Sequence, residues 1–253
     1  MPRTSRVKSK SGTYHIIMRG INRQTLFEDE EDYIRFVQTL ERYKEVCGYS
    51  LYAYCLMGNH VHLLLKEDKH PLETIMRKIC GSYVLWYNKK YDRVGYLFQD
   101  RFKSEPVEDE AYFLTAIRYI FQNPLKANLV TEISNYAWTN YVNYMVEDKG
   151  AAIDFVFDIF NKNREKAIKS FIHYINRENN DECLDIFQRH QITDDDAREI
   201  IKKHCGINHG TEMQKLDIQT RNSHIKGLKE KYGLSIRQIE RITGIGRGVV
   251  QRM

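Results

Sequence analysis

Two apolar runs, Ser50 to Met57 and His60 to Lys66, are separated by nothing but Gly58-Asn59. A two-residue Gly-Asn connection between alternating runs predicts an antiparallel hairpin, and that hairpin limits what the flanking chain can do. Upstream, Thr13 to Arg19 mixes β-branched and aromatic residues, reads as a strand and closes on Gly20. Between it and the hairpin, Tyr33, Phe36, Val37, Leu40, Tyr43 and Val46 fall at helical spacing over Asp29 to Cys47, with Gly48 as the expected C-cap. Downstream, Pro71 opens a helix with Leu72, Ile75, Met76, Ile79, Tyr83 and Trp86 on one face, ending near Asn88. Arg101 to Val107 can form a fourth strand. Asp109 then caps a helix running to about Gln122, where Asn123-Pro124 is expected to stop it. The order β-α-β-β-α-β followed by a helix defines an α+β, ferredoxin-like core with an antiparallel sheet.

The rest of the chain reads differently. From about 131 to 200, Trp138, Tyr141 and Tyr144 sit at helical spacing, as do Phe155, Ile159 and Phe160, which predicts a helical connector. Near the C-terminus, Ser235 and Gln238 form a capping box, and Ile236, Ile239 and Ile242 supply an apolar face. Gly244 makes a tight turn, and Arg247, Gln251 and Arg252 ride on the helix that follows. Two short helices around a Gly turn read as a helix-turn-helix able to contact duplex DNA. The expected division is therefore a catalytic domain at 1–135, a connector at 136–200 and a basic helical segment at 201–253.

Charge supports a polyanionic partner. Residues 1–27 hold six Lys/Arg and no acid, and residues 201–253 hold eleven Lys/Arg against four acids. Since the whole chain is only +5, the middle is acidic and the two ends are basic. Apolar residues make up 42% of the chain, enough for a real core, so global disorder is excluded. No run is long and apolar enough to span a membrane, and the basic N-terminus has no apolar segment of the secretory kind. Five cysteines, odd in number and without a CxxC pair, argue for a reducing cytoplasm and against a cysteine zinc site.

Two short patterns carry chemistry. His60 and His62 are i and i+2 on the third strand, so both imidazoles face one side and can meet one metal ion. They stand at the mouth of an apolar strand, where an uncompensated imidazole would cost stability. Tyr119 and Asn123 are four apart in the helix after strand four, which projects a phenol and a carboxamide together. Asn123 would supply a third ligand and Tyr119 a nucleophile.

The run Tyr14-His-Ile-Ile-Met-Arg-Gly-Ile-Asn-Arg23, the block Met57-Gly-Asn-His-Val-His62 and the stretch Arg118-Tyr-Ile-Phe-Gln-Asn-Pro124 resemble the IS200-like tyrosine transposases. The branch associated with repetitive extragenic palindromes is the nearest likeness. The resemblance spans about residues 7–146, with its three motifs in family order. It implies a single-strand DNA endonuclease and strand transferase of the HUH class. His60 and His62 match the paired histidines, Asn123 the polar third ligand and Tyr119 the nucleophile. It also implies a divalent cofactor, Mg²⁺ or Mn²⁺, a 5′-phosphotyrosine intermediate, and hairpin-bearing single-stranded DNA as partner, with a monomer or homodimer as the working form. Phe121-Gln122 departs from the family by replacing more acidic pairs.

Arg19, Asn22 and Arg23 are candidate phosphate contacts after strand one, and Arg101 and Lys103 suit a single strand stacked on Phe98 and Phe102. Two other classes compete. One is a domesticated DNA-binding regulator that works mainly through its helix-turn-helix. The other is an RNA-binding module, since RNA-recognition domains share the strand and helix order.

Overall fold

The computed structural model of the chain describes residues 6–146, 150–181, 183–184 and 194–253. Four strands form one sheet: β1 (Thr13–Arg19), β2 (Ser50–Met57), β3 (His60–Lys66) and β4 (Lys103–Pro106). Their spatial order is β2-β3-β1-β4, with every neighbouring pair antiparallel. This is the ferredoxin-like order. The Gly58-Asn59 turn pairs Met57 with His60, and helix α1 (Glu30–Cys47) carries the chain across a strand width so that β3 lies between β1 and β2.

Because side chains alternate along a strand, the sheet separates two cores. Tyr14, Ile16 and Met18 of β1, with Val61, Leu63 and Leu65 of β3, pack against α1 and α2 (Leu72–Lys90). Leu64 of β3, with Ala53 and Cys55 of β2, packs instead against α3 (Glu110–Lys126). Local signals set the helix ends. Asp29 and Asp32 cap α1 reciprocally, with each carboxylate accepting the other's backbone N–H at 3.2 and 3.3 Å. Asp109 accepts from the Tyr112 backbone N–H at 2.7 Å to start α3.

Three expected boundaries shift. The fourth strand is shorter than 101–107, because the edge of β1 beyond Ile17 is taken by residues 97–99. Ile21 donates to the Leu97 carbonyl and Gln99 to the Arg19 carbonyl, both at 2.9 Å. Helix α3 is not stopped at Asn123-Pro124 but continues to Lys126. Proline forfeits only its own N–H, and the Ala127 N–H still reaches the Asn123 carbonyl at 3.0 Å, so one further turn closes around a buried Pro124 ring. Trp138 lies on no helix: its carbonyl accepts from Leu56 at 2.9 Å and its ring stacks on Tyr33 at 4.4 Å. A 3-10 turn at Tyr141–Tyr144 follows it.

The connector is part of the first unit. Helices α4 (Ala151–Phe160) and α5 (Arg164–Asn176) join α3 in one core with Phe121, Tyr141, Tyr144, Phe157 and Phe171. The chain divides compactly at 185/186, so the boundary drawn at 135 runs through a continuous core. The reason is aromatic packing: Phe121 of α3 lies 5.4 Å from Tyr141 and 5.7 Å from Tyr144, centroid to centroid.

Gly20 is the tightest point beside the site. A Cβ there would sit 2.1 Å from the Gln24 carbonyl oxygen, so only glycine allows the 3-10 turn Ile21–Arg23 to fold back. We expect Gly20→Ala to destabilise the first unit by about 2 kcal/mol, read as a thermal midpoint lower by roughly 4–8 °C.

The second unit holds α6 (Asp194–Cys205), a 3-10 turn (Gly210–Lys215), α7 (Ile218–Glu230), α8 (Ile236–Thr243) and α9 (Arg247–Arg252). Ala197, Ile201, Met213, Ile225, Leu228, Ile239 and Val250 form its core. The Ser235–Gln238 capping box is present, and Gly244 takes the left-handed φ of 71° that the α8–α9 turn requires. His204 packs edge-on to His224 at 5.2 Å and to Tyr232 at 5.1 Å. Burial, then His224 and Lys231, lower its pKa. A lowered folded-state pKa means the unfolded chain takes up the proton first. Stability of this unit should therefore fall as pH drops below the ordinary imidazole value of about 6.5. Thermal melts across that range check this, and His204→Phe should flatten the response.

Candidate active site

β1 and β3 present their second face to α3, and three imidazoles gather there. His60 and His62 lie 5.1 Å apart, ring to ring, on β3. His15 of β1 stacks on His62 at 5.5 Å, with its Nε2 3.2 Å from His62 Nδ1. The Tyr119 ring of α3 meets both edge-on, 5.8 Å from His62 and 5.9 Å from His15. A strand pair and a helix distant in sequence thus bring the phenol and the paired histidines together within one chain. Asn123, one turn further along α3, turns its amide nitrogen to the Tyr119 carbonyl at 2.9 Å, which leaves its oxygen as the end not engaged by the helix.

Two side chains here escaped the sequence reading. In the sequence, His15 reads as one polar residue in an apolar strand. The signal was its alternation: with Ile17 and Arg19 it faces the same side as His60 and His62, and the register sets Ile17 against His62 and Arg19 against His60. Lys126 places its Nζ 4.8 Å from the centre of the Tyr119 ring. Tyr119, Asn123 and Lys126 are i, i+4 and i+7 on one helical stripe, a spacing that was readable.

The donor set suits a divalent ion on specific grounds. His62 is fully buried, yet its Nε2 has no hydrogen-bond partner among the described residues. Desolvation, then the neighbouring His60 and His15, hold its pKa well below the ordinary imidazole value, so it is neutral and able to ligate. The Asn59 oxygen lies 2.7 Å from His60 Nδ1, which holds the rotation of the His60 ring. No trio of His, Cys, Asp or Glu among the described residues is grouped to hold a metal. A set of two imidazoles and a carboxamide has only two members of those types, and His15 engages His62 through its Nε2 instead.

The helix that carries Tyr119 is held on its far side. Arg118 makes a two-point ion pair with Asp181 at 2.7 and 2.8 Å, and Gln122 donates to the Ile175 carbonyl at 2.7 Å. Tyr119 itself is 6% exposed.

The remaining candidates scatter more widely. Arg19 ends β1, while Asn22 and Arg23 are exposed in the adjoining turn with left-handed φ values of 50° and 63°. Two consecutive non-glycine residues in that region store strain, which the Asn59 side chain helps hold by donating to the Arg23 carbonyl at 3.4 Å. Arg101 and Lys103 line a groove of about 980 Å³ along the β4 edge, with Phe98, Phe102, Val84 and Arg6. Arg6 stacks over Phe102 at 3.7 Å. Glu105 is not available as a base beside Tyr119, since it pairs with the Tyr112 hydroxyl and accepts from the Leu184 N–H at 3.1 Å. Arg247, Gln251 and Arg252 are exposed on α9 in the second unit. No helix of the described residues is long and apolar enough to cross a membrane.

Residues 8–123 match the family model described as IS200-like transposase. Among solved structures, a REP-associated tyrosine transposase bound to a REP hairpin superposes with a TM-score of 0.51 at 17% identity. That match covers 58% of this chain and 87% of the other, and it establishes the shared fold. A transposase-like protein from Deinococcus radiodurans R1 aligns at 20% identity over 47% of this chain and 95% of its own. Its TM-score of 0.35 is too loose to define a common architecture. No curated protein sequence matches this chain.

Proposed function

We propose that the first unit cleaves and rejoins single-stranded DNA through Tyr119, on hairpin-bearing substrates of the kind seen with the REP-associated relative. The observation that carries this reading is the approach of Tyr119 on α3 to His62 on the sheet face packed against it, at 5.8 Å between rings. The Tyr119 oxygen bonds phosphorus, the bond from phosphorus to the 3′ oxygen breaks, the phenolic proton is lost and the leaving oxygen gains one. The product is a 5′-phosphotyrosine and a free 3′-hydroxyl. Attack by another 3′-hydroxyl reverses the step, and because the covalent bond conserves the phosphodiester energy no nucleotide is consumed.

His60 and His62 with Asn123 would hold the divalent ion, Mg²⁺ or Mn²⁺. When bound, it draws charge from the scissile phosphate and the departing oxygen. His62 is a neutral donor, and Asn59 holds the His60 ring in place. Lys126 keeps a positive charge beside the phenol ring, where negative charge grows on the oxygen. Arg19, Asn22 and Arg23 offer backbone phosphates a contact beside the histidines, and the groove with Arg101, Lys103, Phe98 and Phe102 accepts unstacked bases. The exposed Arg247, Gln251 and Arg252 of α9 would contact duplex DNA as a recognition helix does.

The test is a denaturing gel of the full chain with labelled hairpin-tailed single strands and Mn²⁺. A slow-migrating covalent species that disappears with chelator supports the reading. No adduct with any tailed hairpin, alongside retained duplex binding, supports the regulator instead.

A further inference from the structure

We propose that the groove between α1 and α2, on the face of the sheet turned away from Tyr119, is a second binding site for an unpaired DNA strand, which reaches it from the β4-edge groove by passing over Gly81. This goes beyond the cleavage site, and it rests on the reading of the first unit as a handler of single-stranded DNA. Arg35 of α1 and Arg77, Lys78 and Lys89 of α2 line this groove of about 530 Å³, and no carboxylate among the described residues joins them. None of the four is in an ion pair among the described residues, although acids are close at hand: Lys90, the next residue, takes up Asp29, Glu31 and Asp32. Four clustered cations repel one another, and a phosphate backbone relieves that repulsion while releasing its own counterions. Rings are interleaved with the charge. Tyr43 and Trp86 line the same groove, the Arg35 guanidinium lies 5.7 Å from the centre of the Trp86 ring, and Leu85 beside them is 75% exposed. A duplex would use only the cations, whereas an unpaired strand offers bases to the rings as well. The link between the grooves is Gly81, which lines both. It is exposed in the interior of a helix of 19 residues, its φ is not left-handed, and a Cβ there would meet nothing within 4 Å. Neither backbone geometry nor packing calls for glycine, which weakens a helix relative to alanine. What its missing side chain provides is a low saddle between the two grooves.

The experiment uses the full chain and a labelled hairpin whose unpaired flanks are lengthened one side at a time, from about 4 to about 16 nucleotides, with affinity read by fluorescence anisotropy over a salt series. Affinity is expected to rise with length on one flank and then level off. Arg77→Glu with Lys78→Glu should abolish that gain, costing about 10- to 100-fold on the longest flank and under about threefold on the shortest, and should flatten the salt dependence by about 0.7 per lost phosphate contact. Gly81→Glu, which blocks the saddle, should abolish the gain without lowering the thermal midpoint. Lys162→Glu with Lys169→Glu, an equal charge change at exposed positions on the α5 side, should retain it. No gain with length on either flank of the wild type overturns the proposal. So does a gain that survives both α2 variants, a loss shared equally by the shortest flank or by the control, or a gain that appears only when the added nucleotides are base-paired. A Tyr119-dependent adduct without the length gain keeps the cleavage reading and removes the groove; a length gain without any adduct keeps the groove and removes the cleavage reading.

Discussion

Tyr119→Phe is expected to remove covalent DNA attachment altogether, by roughly a thousandfold or more, while leaving the fold and hairpin affinity intact. The change deletes one oxygen. The ring keeps its edge contacts with His15 and His62 and its place under Lys126, so packing loses little. The matched readout is adduct yield on a denaturing gel beside equilibrium binding of the same hairpin. Loss of adduct with unchanged binding assigns the nucleophile. An adduct that survives the substitution transfers that role to another residue. Tyr112 is a poor second candidate, because its hydroxyl is held by Glu105 and no ligand-type residue stands four positions on.

The second large effect is expected at His62, and it has two parts. His62→Ala should abolish metal-dependent cleavage and weaken Mn²⁺ binding. It should also destabilise the first unit by about 2–3 kcal/mol, because a fully buried ring is removed and the His15 Nε2 loses its partner. His60→Ala should abolish cleavage to a similar degree at a much smaller cost in stability, since His60 is only half-buried at the end of β3. Calorimetric Mn²⁺ titration and urea unfolding of the two variants side by side check the contrast. Equal stability losses would mean that His62 is not packed as described. Full cleavage by either variant would remove it from the ligand set.

Much of the architecture was legible because local chemistry repeats it several times. The Gly58-Asn59 turn, the Asp29 and Asp109 caps and the Ser235–Gln238 box each act over a few residues, and each is present in the structure. The misread boundaries share a different cause. Pro124 does not end α3, because the buried core around that turn outweighs one missing hydrogen bond, and no local pattern reports a core. Phe121-Gln122, the departure from the family pattern, has the same kind of explanation. Phe121 packs into the aromatic cluster of the connector and Gln122 holds the end of α5, so both residues answer to helices that follow some thirty or more positions later.

His60, His62, Tyr119 and Asn123 were nameable from spacing alone, since strand period two and helix period 3.6 decide which neighbours in sequence share a face. Spacing within an element says nothing about which face of the next element it meets. That depended on strand register and on burial of α3 between the sheet and the connector, which together set His15 beside His62 and bring the Tyr119 ring within 6 Å of both. Local periodicity therefore determined the parts and their orientation on each element. Only the packing of a long-range sheet against its helix, driven by apolar surface contributed from distant segments, decided that His62 and Tyr119 meet.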